Sequence, residues 1–287
     1  MEFGIHIGIR GCMITRDNVM GLATRAEALG YGVIGVADHL IVPVHTDVRY
    51  PYTADGVWPG APTGECFDCI ATLAFMAGCT QRIKLLTSVA VVPHRPPILA
   101  AKLFLTVDVL SGGRAIVGVG SGWMKEEFAA LGTPPFDERG AVTDEYIKAW
   151  IELWTKDRPS MAGKYAQFDN VVFEPKPVSN NAQILLNTPQ RLKAGIDRLH
   201  KAAEKAGRDP GSIDISYVWF MPPSWTARPG VDGGRQMFTG SADDMLEDAA
   251  ALKAIGVKHT LVYLQRPTIE QTMDLTQRFA EDVVQKA

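Results

Sequence analysis

Lys84-Leu-Leu-Thr-Ser-Val-Ala-Val-Val-Pro-His-Arg-Pro-Pro-Ile-Leu99, continued by Leu110-Ser-Gly-Gly-Arg-Ala-Ile-Val-Gly-Val-Gly-Ser-Gly-Trp123, decides the fold. Ile83 to Val92 is an apolar, β-branched run with few polar breaks, the habit of a parallel strand buried under helices on both faces. Pro93, Pro96 and Pro97 end it, and proline opens a helix cheaply because the first N–H groups lack partners anyway. Ile98, Leu99, Leu103, Val107 and Leu110 follow at helical spacing. Ser111-Gly-Gly113 stops that helix, and Ala115 to Val119 forms the next strand. Gly118-Val-Gly-Ser-Gly122 leads out of it into a second helix. The unit is βαβ, with small, flexible backbone at its strand ends.

Working outward, Phe3 to Ile9 reads as a strand and Asp17 as the N-cap of a helix closed by Gly30. Tyr31 to Ala37 is a second strand, ending in Asp38-His39. Residues 40–65 form a long loop rich in proline, glycine and aromatics, including Tyr52 and Trp58, and such loops are commonly lids or binding loops. An apolar helix runs from Cys66 to Gly78. Beyond Gly122, a helix over Arg139–Trp154, a small hairpin over 163–173 and a helix opened by Thr188-Pro189 come before the strand Ile213–Phe220. Ser241 caps the next helix; the strand His259–Gln265 and the helix Thr268–Val284 close the chain. Strands alternating with helices mean a parallel sheet. The length and the loops after Asp38, Pro93, Gly118 and Phe220 favour a closed (β/α)8 barrel over an open sheet. Gly8-Ile-Arg-Gly11 lacks the GxGxxG of a dinucleotide fold. Six strands are clear and Ile184-Leu-Leu186 is a weak seventh, one short of a full barrel.

Composition narrows the function. The 287 residues are 46% hydrophobic with a net charge of −3, so a sizeable core is available and nothing favours nucleic acid. No apolar run reaches the roughly 20 residues that span a bilayer. Met1-Glu-Phe-Gly-Ile-His lacks the basic start of a signal peptide, and the expectation is a cytoplasmic protein without a membrane. Cys66-Phe-Asp-Cys69 has redox or zinc spacing, but no second pair accompanies it. Small apolar cysteines at a helix start are the better account, and no metal is expected.

Several stretches together resemble the luciferase-like monooxygenase superfamily, and within it the bacterial F420-dependent oxidoreductases. They are Ala26-Glu-Ala-Leu-Gly-Tyr31, Val36-Ala-Asp-His39, Leu86-Thr-Ser-Val-Ala-Val-Val-Pro93, Asp108-Val-Leu-Ser-Gly-Gly-Arg114, Gly118-Val-Gly-Ser-Gly-Trp-Met-Lys-Glu-Glu-Phe128, Glu138-Arg-Gly140 and Phe173-Glu-Pro-Lys-Pro177. The resemblance implies an α/β TIM-like barrel of the bacterial luciferase type, a single domain over 1–287. It also implies a cofactor, coenzyme F420 or FMN, at the C-terminal mouth. Relatives continue after Pro-Lys-Pro-Val into a strand, a glycine turn, a helix and another strand that helps bind the cofactor phosphate. Here that βα segment is missing near residues 178–187. Its loss would expose sheet edges, so omission from this chain is the favoured explanation.

The resemblance further implies roles. Thr87, Ser88 and Val89 would lie behind the cofactor ring, with a non-proline cis bond at Ser88-Val89. Gly118, Gly120, Ser121 and Gly122 would let backbone approach it and start a helix whose N–H groups favour polar heads. Asp38 and His39 would sit beside the reactive part of the ring, His39 shuttling a proton and Asp38 orienting it; a structural ion pair is the alternative. Of Glu126 and Glu127, the helix dipole accounts for one and the other faces the cofactor; Glu126 would bind it and Glu127 would act as a catalytic group. Arg139 is expected in a structural salt bridge. The reading is hydride transfer between F420 and a small organic substrate. The alternatives are an FMN-dependent monooxygenase fed by a separate flavin reductase, and a non-catalytic flavin-binding protein. A homodimer through the outer helices is the family expectation.

Overall fold

The computed structural model describes the chain except residues 45–48, 51–55, 57, 59–63, 179–181, 187–188, 206 and 231–232, so Tyr52 and Thr188 lie outside the described residues, as do the side chains of 182–186 and 189–191. Elements follow in the order β1 (Glu2–Ile7), α1 (Arg16–Ala28), β2 (Val33–Val36), α2 (Cys69–Cys79), β3 (Lys84–Thr87), β4 (Ala90–Val91), α3 (Pro97–Leu110) and β5 (Ala115–Gly120). Next come α4 (Lys125–Leu131), α5 (Arg139–Thr155), the hairpin β6 (Met161–Ala162) and β7 (Gln167–Phe168), β8 (Ala182–Leu186) and α6 (Pro189–Lys205). β9 (Ile215–Trp219), α7 (Ala242–Ala254), β10 (Val257–Tyr263) and α8 (Ile269–Phe279) complete the fold. Local chemistry sets the helix ends. Thr15, rather than Asp17, caps α1 by accepting from the Asn18 N–H, and Ser241 and Asp244 form a reciprocal capping box on α7.

The parallel sheet runs β3-β2-β1-β10-β9-β8-β5-β4, and pairing of β3 with β5 closes it into a ring. β3 and β4 are two pieces of the strand expected over Ile83–Val92, interrupted by a cis bond between Ser88 and Val89. Counted so, the barrel has seven strands. The weak Ile184-Leu-Leu186 is one of them, for β8 pairs with both β5 and β9. The chain then enters α6 without the further αβ unit of a full barrel. The ring still closes, so the shortfall narrows the barrel and leaves no open edge there.

Two apolar clusters hold the layers. One lies between sheet and helices, with Ile5, Ile34, Leu85, Trp150, Tyr217 and Phe279 fully buried. The other, inside the ring, is Val33, Leu86, Ile116, Val218 and Leu261. Because side chains alternate along a strand, the residues two further on in β1, β3 and β10 face the lumen at the C-terminal mouth. These are His6, Ser88 and Tyr263. The 37–68 connection, without helix or strand among its described residues, carries Trp58 to the same mouth.

Candidate active site

The β3–β5 wall is built on close backbone approach. The Thr87 hydroxyl, fully buried, donates to the Gly118 carbonyl at 2.8 Å. A side chain at Gly118 would strike the Thr87 carbonyl, one at Gly120 would come within 2.6 Å of Val89, and one at Gly122 within 2.6 Å of the Phe128 ring. These glycines therefore let protein pack on protein, and the space beside them is already filled. Nor does the strand run straight into a helix: Ser121 and Gly122 precede α4 by several residues, and Met124 is its cap. Thr87 is likewise a strand lock. What Ser88 offers is different. Its hydroxyl is buried and has no hydrogen-bond partner among the described residues, and the same holds for His6 Nδ1. Burial, with Arg10 nearby, pushes the His6 ring down to about 3, so it is neutral.

Asp38 has a structural role. Arg95 Nη1 and Nη2 donate to its two oxygens at 2.8 Å each, and the Val91 N–H adds a third bond at 2.9 Å. Arg95 also donates to Asp68, the N-cap of α2, at 2.6 Å. Burial alone would raise the Asp38 carboxyl, but the Arg95 hydrogen bonds and charge outweigh it and hold it below the usual carboxylate range. Both oxygens being engaged, Asp38 does not orient His39. It ties the end of β2 to β4 and to the start of α2.

Glu127 takes the place expected of Asp38. One of its oxygens lies 2.8 Å from His39 Nδ1, and the other accepts from the Leu40 N–H at 2.7 Å and the Ile41 N–H at 3.3 Å. Its side chain is 1% exposed. Burial pushes its carboxyl up, but the His39 hydrogen bond, with the neighbouring imidazoles and the Leu40 N–H, more than offsets that and holds it low. An ionised carboxylate accepts, so Nδ1 carries the hydrogen and Nε2 faces outward as the basic nitrogen. Glu126, one residue earlier on the helix, is half-buried, and His39, Leu40 and Ile41 do not use it.

Aromatic rings frame the pair. Trp58 lies 4.6 Å and Trp123 6.2 Å from the His39 ring, Tyr50 lies 5.1 Å from Trp123, and the Arg10 guanidinium sits 5.2 Å from the Trp58 ring. Trp58 thus covers His39. Arg139 makes no salt bridge among the described residues; it donates to the carbonyls of Phe136 and Gly122 at 3.0 and 3.3 Å. Cys66 and Cys69 are free thiols, both pushed up chiefly by burial. Reasoning from sequence passed over His6, His94, Arg95 and Trp123. His94-Arg95 was signalled by position, being polar residues set directly after a buried strand.

The mouth thus holds a histidine poised by a buried carboxylate, over a floor with unsatisfied polar atoms. That floor fits a flat heteroaromatic ring: Ser88 Oγ and His6 Nδ1 would find partners on its polar edge, beside the Trp58–Trp123 pair, whose rings pack edge-to-face 6.0 Å apart.

The family model for luciferase-like monooxygenases matches residues 1–184. An uncharacterised protein of Mycobacterium tuberculosis is 28% identical over 259 residues, 90% of this chain and 91% of its own. The FMNH2-dependent dimethylsulfone monooxygenase of Pseudomonas putida is 37% identical over 105 residues, 36% of this chain and 29% of that enzyme. Among solved structures, an F420-dependent secondary alcohol dehydrogenase in complex with an F420-acetone adduct superposes with a TM-score of 0.73 at 18% identity, covering 98% of each chain. The closed parallel ring and the family match over the whole βαβ core agree: the chain belongs to the luciferase-like monooxygenase family.

Proposed function

We propose that this protein is an oxidoreductase that transfers hydride between coenzyme F420 and a small organic substrate, with His39 exchanging the accompanying proton. The observation that carries the reading is the His39–Glu127 pair, 2.8 Å apart at the barrel mouth. His6, Ser88 and Tyr263 would hold the polar edge of the cofactor, and Trp58 and Trp123 would exclude water. When bound, F420 supplies a two-electron hydride donor or acceptor. His39 Nε2 takes up or returns the substrate's exchangeable proton, and Glu127 holds the Nδ1 hydrogen and stabilises the imidazolium that forms. Positioned groups of this kind contribute about 10²–10⁴-fold in rate. The Gly122-Trp-Met-Lys-Glu-Glu-Phe128 stretch favours F420 over FMN.

An FMN-dependent monooxygenase using reduced flavin and O2 is the second reading, favoured by the 37% identity to the dimethylsulfone enzyme over 105 residues. Fluorescence titration with F420 and with FMN separates them. Tight F420 and weak FMN binding supports hydride transfer, the reverse preference replaces it with the oxygenase, and tight binding without turnover of any tested alcohol or carbonyl compound leaves a cofactor-binding protein.

A further inference from the structure

His94 is a buried titratable group that the mechanism above does not use. It ends the turn Val92–His94 after β4, its side chain is 1% exposed, and neither ring nitrogen has a hydrogen-bond partner among the described residues. Leaving both nitrogens of a buried imidazole unmet is unfavourable, and an apolar ring would fill the same space without that cost. Its Nε2 lies 4.0 Å from Glu127 Oε2, the oxygen that faces His39 Nδ1 at 2.8 Å. The Phe128 ring packs against it edge-on at 5.0 Å. The charged and titratable groups around it are Glu127 from α4, Asp38 and His39 from the end of β2, and Arg95 from its own turn.

We propose that His94 is a positioning residue for the His39–Glu127 pair, its Nε2–H serving as a second donor to Glu127 Oε2. A carboxylate shift of roughly 1 Å brings the two into hydrogen-bond range. Glu127 then divides one oxygen between two imidazoles, and the share His94 takes limits how firmly Glu127 holds a protonated His39. Burial keeps His94 neutral, with Glu127 and Asp38 opposing and Arg95 and His39 assisting, so it acts as a hydrogen-bond donor and not as a competing cation. Without that donor, Glu127 would lean wholly on His39 and shorten the bond to its Nδ1–H. The inference rests on the reading of His39 as the proton-exchanging group, but its test does not need turnover.

The measurement is a pH series of long-range 1H–15N spectra of the histidine rings in the cofactor-free protein, for the wild type, His94→Phe, His94→Gln and Glu127→Gln. The wild type is expected to carry the His94 hydrogen on Nε2, and the His94 ring nitrogens are expected to move in Glu127→Gln. His94→Phe is expected to shift the His39 Nδ1 resonance and its proton downfield at fixed pH, as Glu127 Oε2 turns wholly to that donor. His94→Gln, which retains an N–H donor, is expected to restore at least half of that shift. A His94 hydrogen on Nδ1, unmoved by Glu127→Gln, overturns the inference, as do His39 ring resonances unchanged in His94→Phe. Should His94→Phe fail to fold, the wild-type and Glu127→Gln spectra decide alone. A protein with the expected spectra but no F420 chemistry would lose only the functional reading. One that turns over F420 while its His39 ignores His94→Phe would lose only this inference.

Discussion

The two mouths of the barrel are built from the same residue types and treated in opposite ways. At the N-terminal mouth, Lys84 Nζ reaches Glu2 at 2.9 Å, His259 reaches the same carboxylate at 3.2 Å, and the Ser216 hydroxyl lies 3.4 Å from the other His259 nitrogen. Each polar group there has a partner, and the network closes the end of the lumen. At the C-terminal mouth the histidine and serine facing the lumen, His6 and Ser88, keep polar atoms with none. Unmet buried groups cost stability, so each one calls for an explanation. One mouth is finished by the chain itself; the other leaves Ser88 Oγ and His6 Nδ1 without partners among the described residues.

The sharpest way to break this contrast is at the pair on the open mouth. His39→Ala should lower turnover about 10²–10⁴-fold and change the unfolding free energy by no more than about 1 kcal/mol, read by steady-state kinetics and denaturant titration. Equal losses of activity and stability would mean that His39 merely packs against Trp58.

Next in size is the buried Asp38–Arg95 pair, which belongs to the frame and not to the chemistry. Arg95→Met strands a carboxylate and should destabilise by about 3–5 kcal/mol in denaturant titration. Because the folded Asp38 carboxyl is held below its ordinary range, the stability it contributes is present above that range and lost as pH falls through its folded value. That acid-dependent loss should be absent from Arg95→Met.

Smaller, and aimed directly at the comparison, are two serines. Ser216→Ala should cost about 1 kcal/mol, because it strips a partner from His259. Ser88→Ala should leave stability unchanged or raised, while weakening cofactor affinity about five-fold. A destabilised Ser88→Ala would show that the two mouths are satisfied alike.

The smallest effect is a slope. His6, His94 and His259 are all held down chiefly by burial and stay neutral when folded, whereas an unfolded chain protonates them near pH 6.5. Their contribution is complete above the ordinary imidazole range and falls away as pH drops below it, toward about 3 for His6. Thermal midpoints should therefore decline between pH 7 and 5, less steeply in His6→Leu.

Most of the barrel was legible because strand and helix signals are local. Val33 to Val36, Lys84 to Thr87 and Ala115 to Gly120 are apolar runs set between helix stops, and motif position even placed the Ser88–Val89 bond. Partnership was not legible. Asp38 and His39 are neighbours in sequence, yet one meets Arg95, 57 residues on, and the other Glu127, 88 residues on. Only the closed ring brings those together, so the carboxylate beside His39 was misassigned to Asp38. The glycines are ambiguous for a related reason: a missing side chain signals close approach without saying whether protein or ligand approaches. Closure by seven strands was out of reach as well, since it depends on β8 meeting both β5 and β9.

That seventh-strand closure also sets a limit on bulk. Barrel diameter grows about linearly with strand number, so this ring is roughly an eighth narrower than a full one, and its wall bends more sharply. Inward-facing Cβ positions crowd where a wall curves. A Cβ at Gly4 would come 2.7 Å from the Val33 carbonyl, and one at Gly35 would come 2.5 Å from Leu261 across the lumen. In a wider ring such positions have room for alanine or more. The Cβ at Gly4 would meet backbone, whereas the one at Gly35 would first meet the movable end of the Leu261 side chain, so Gly4 is the stricter of the two positions.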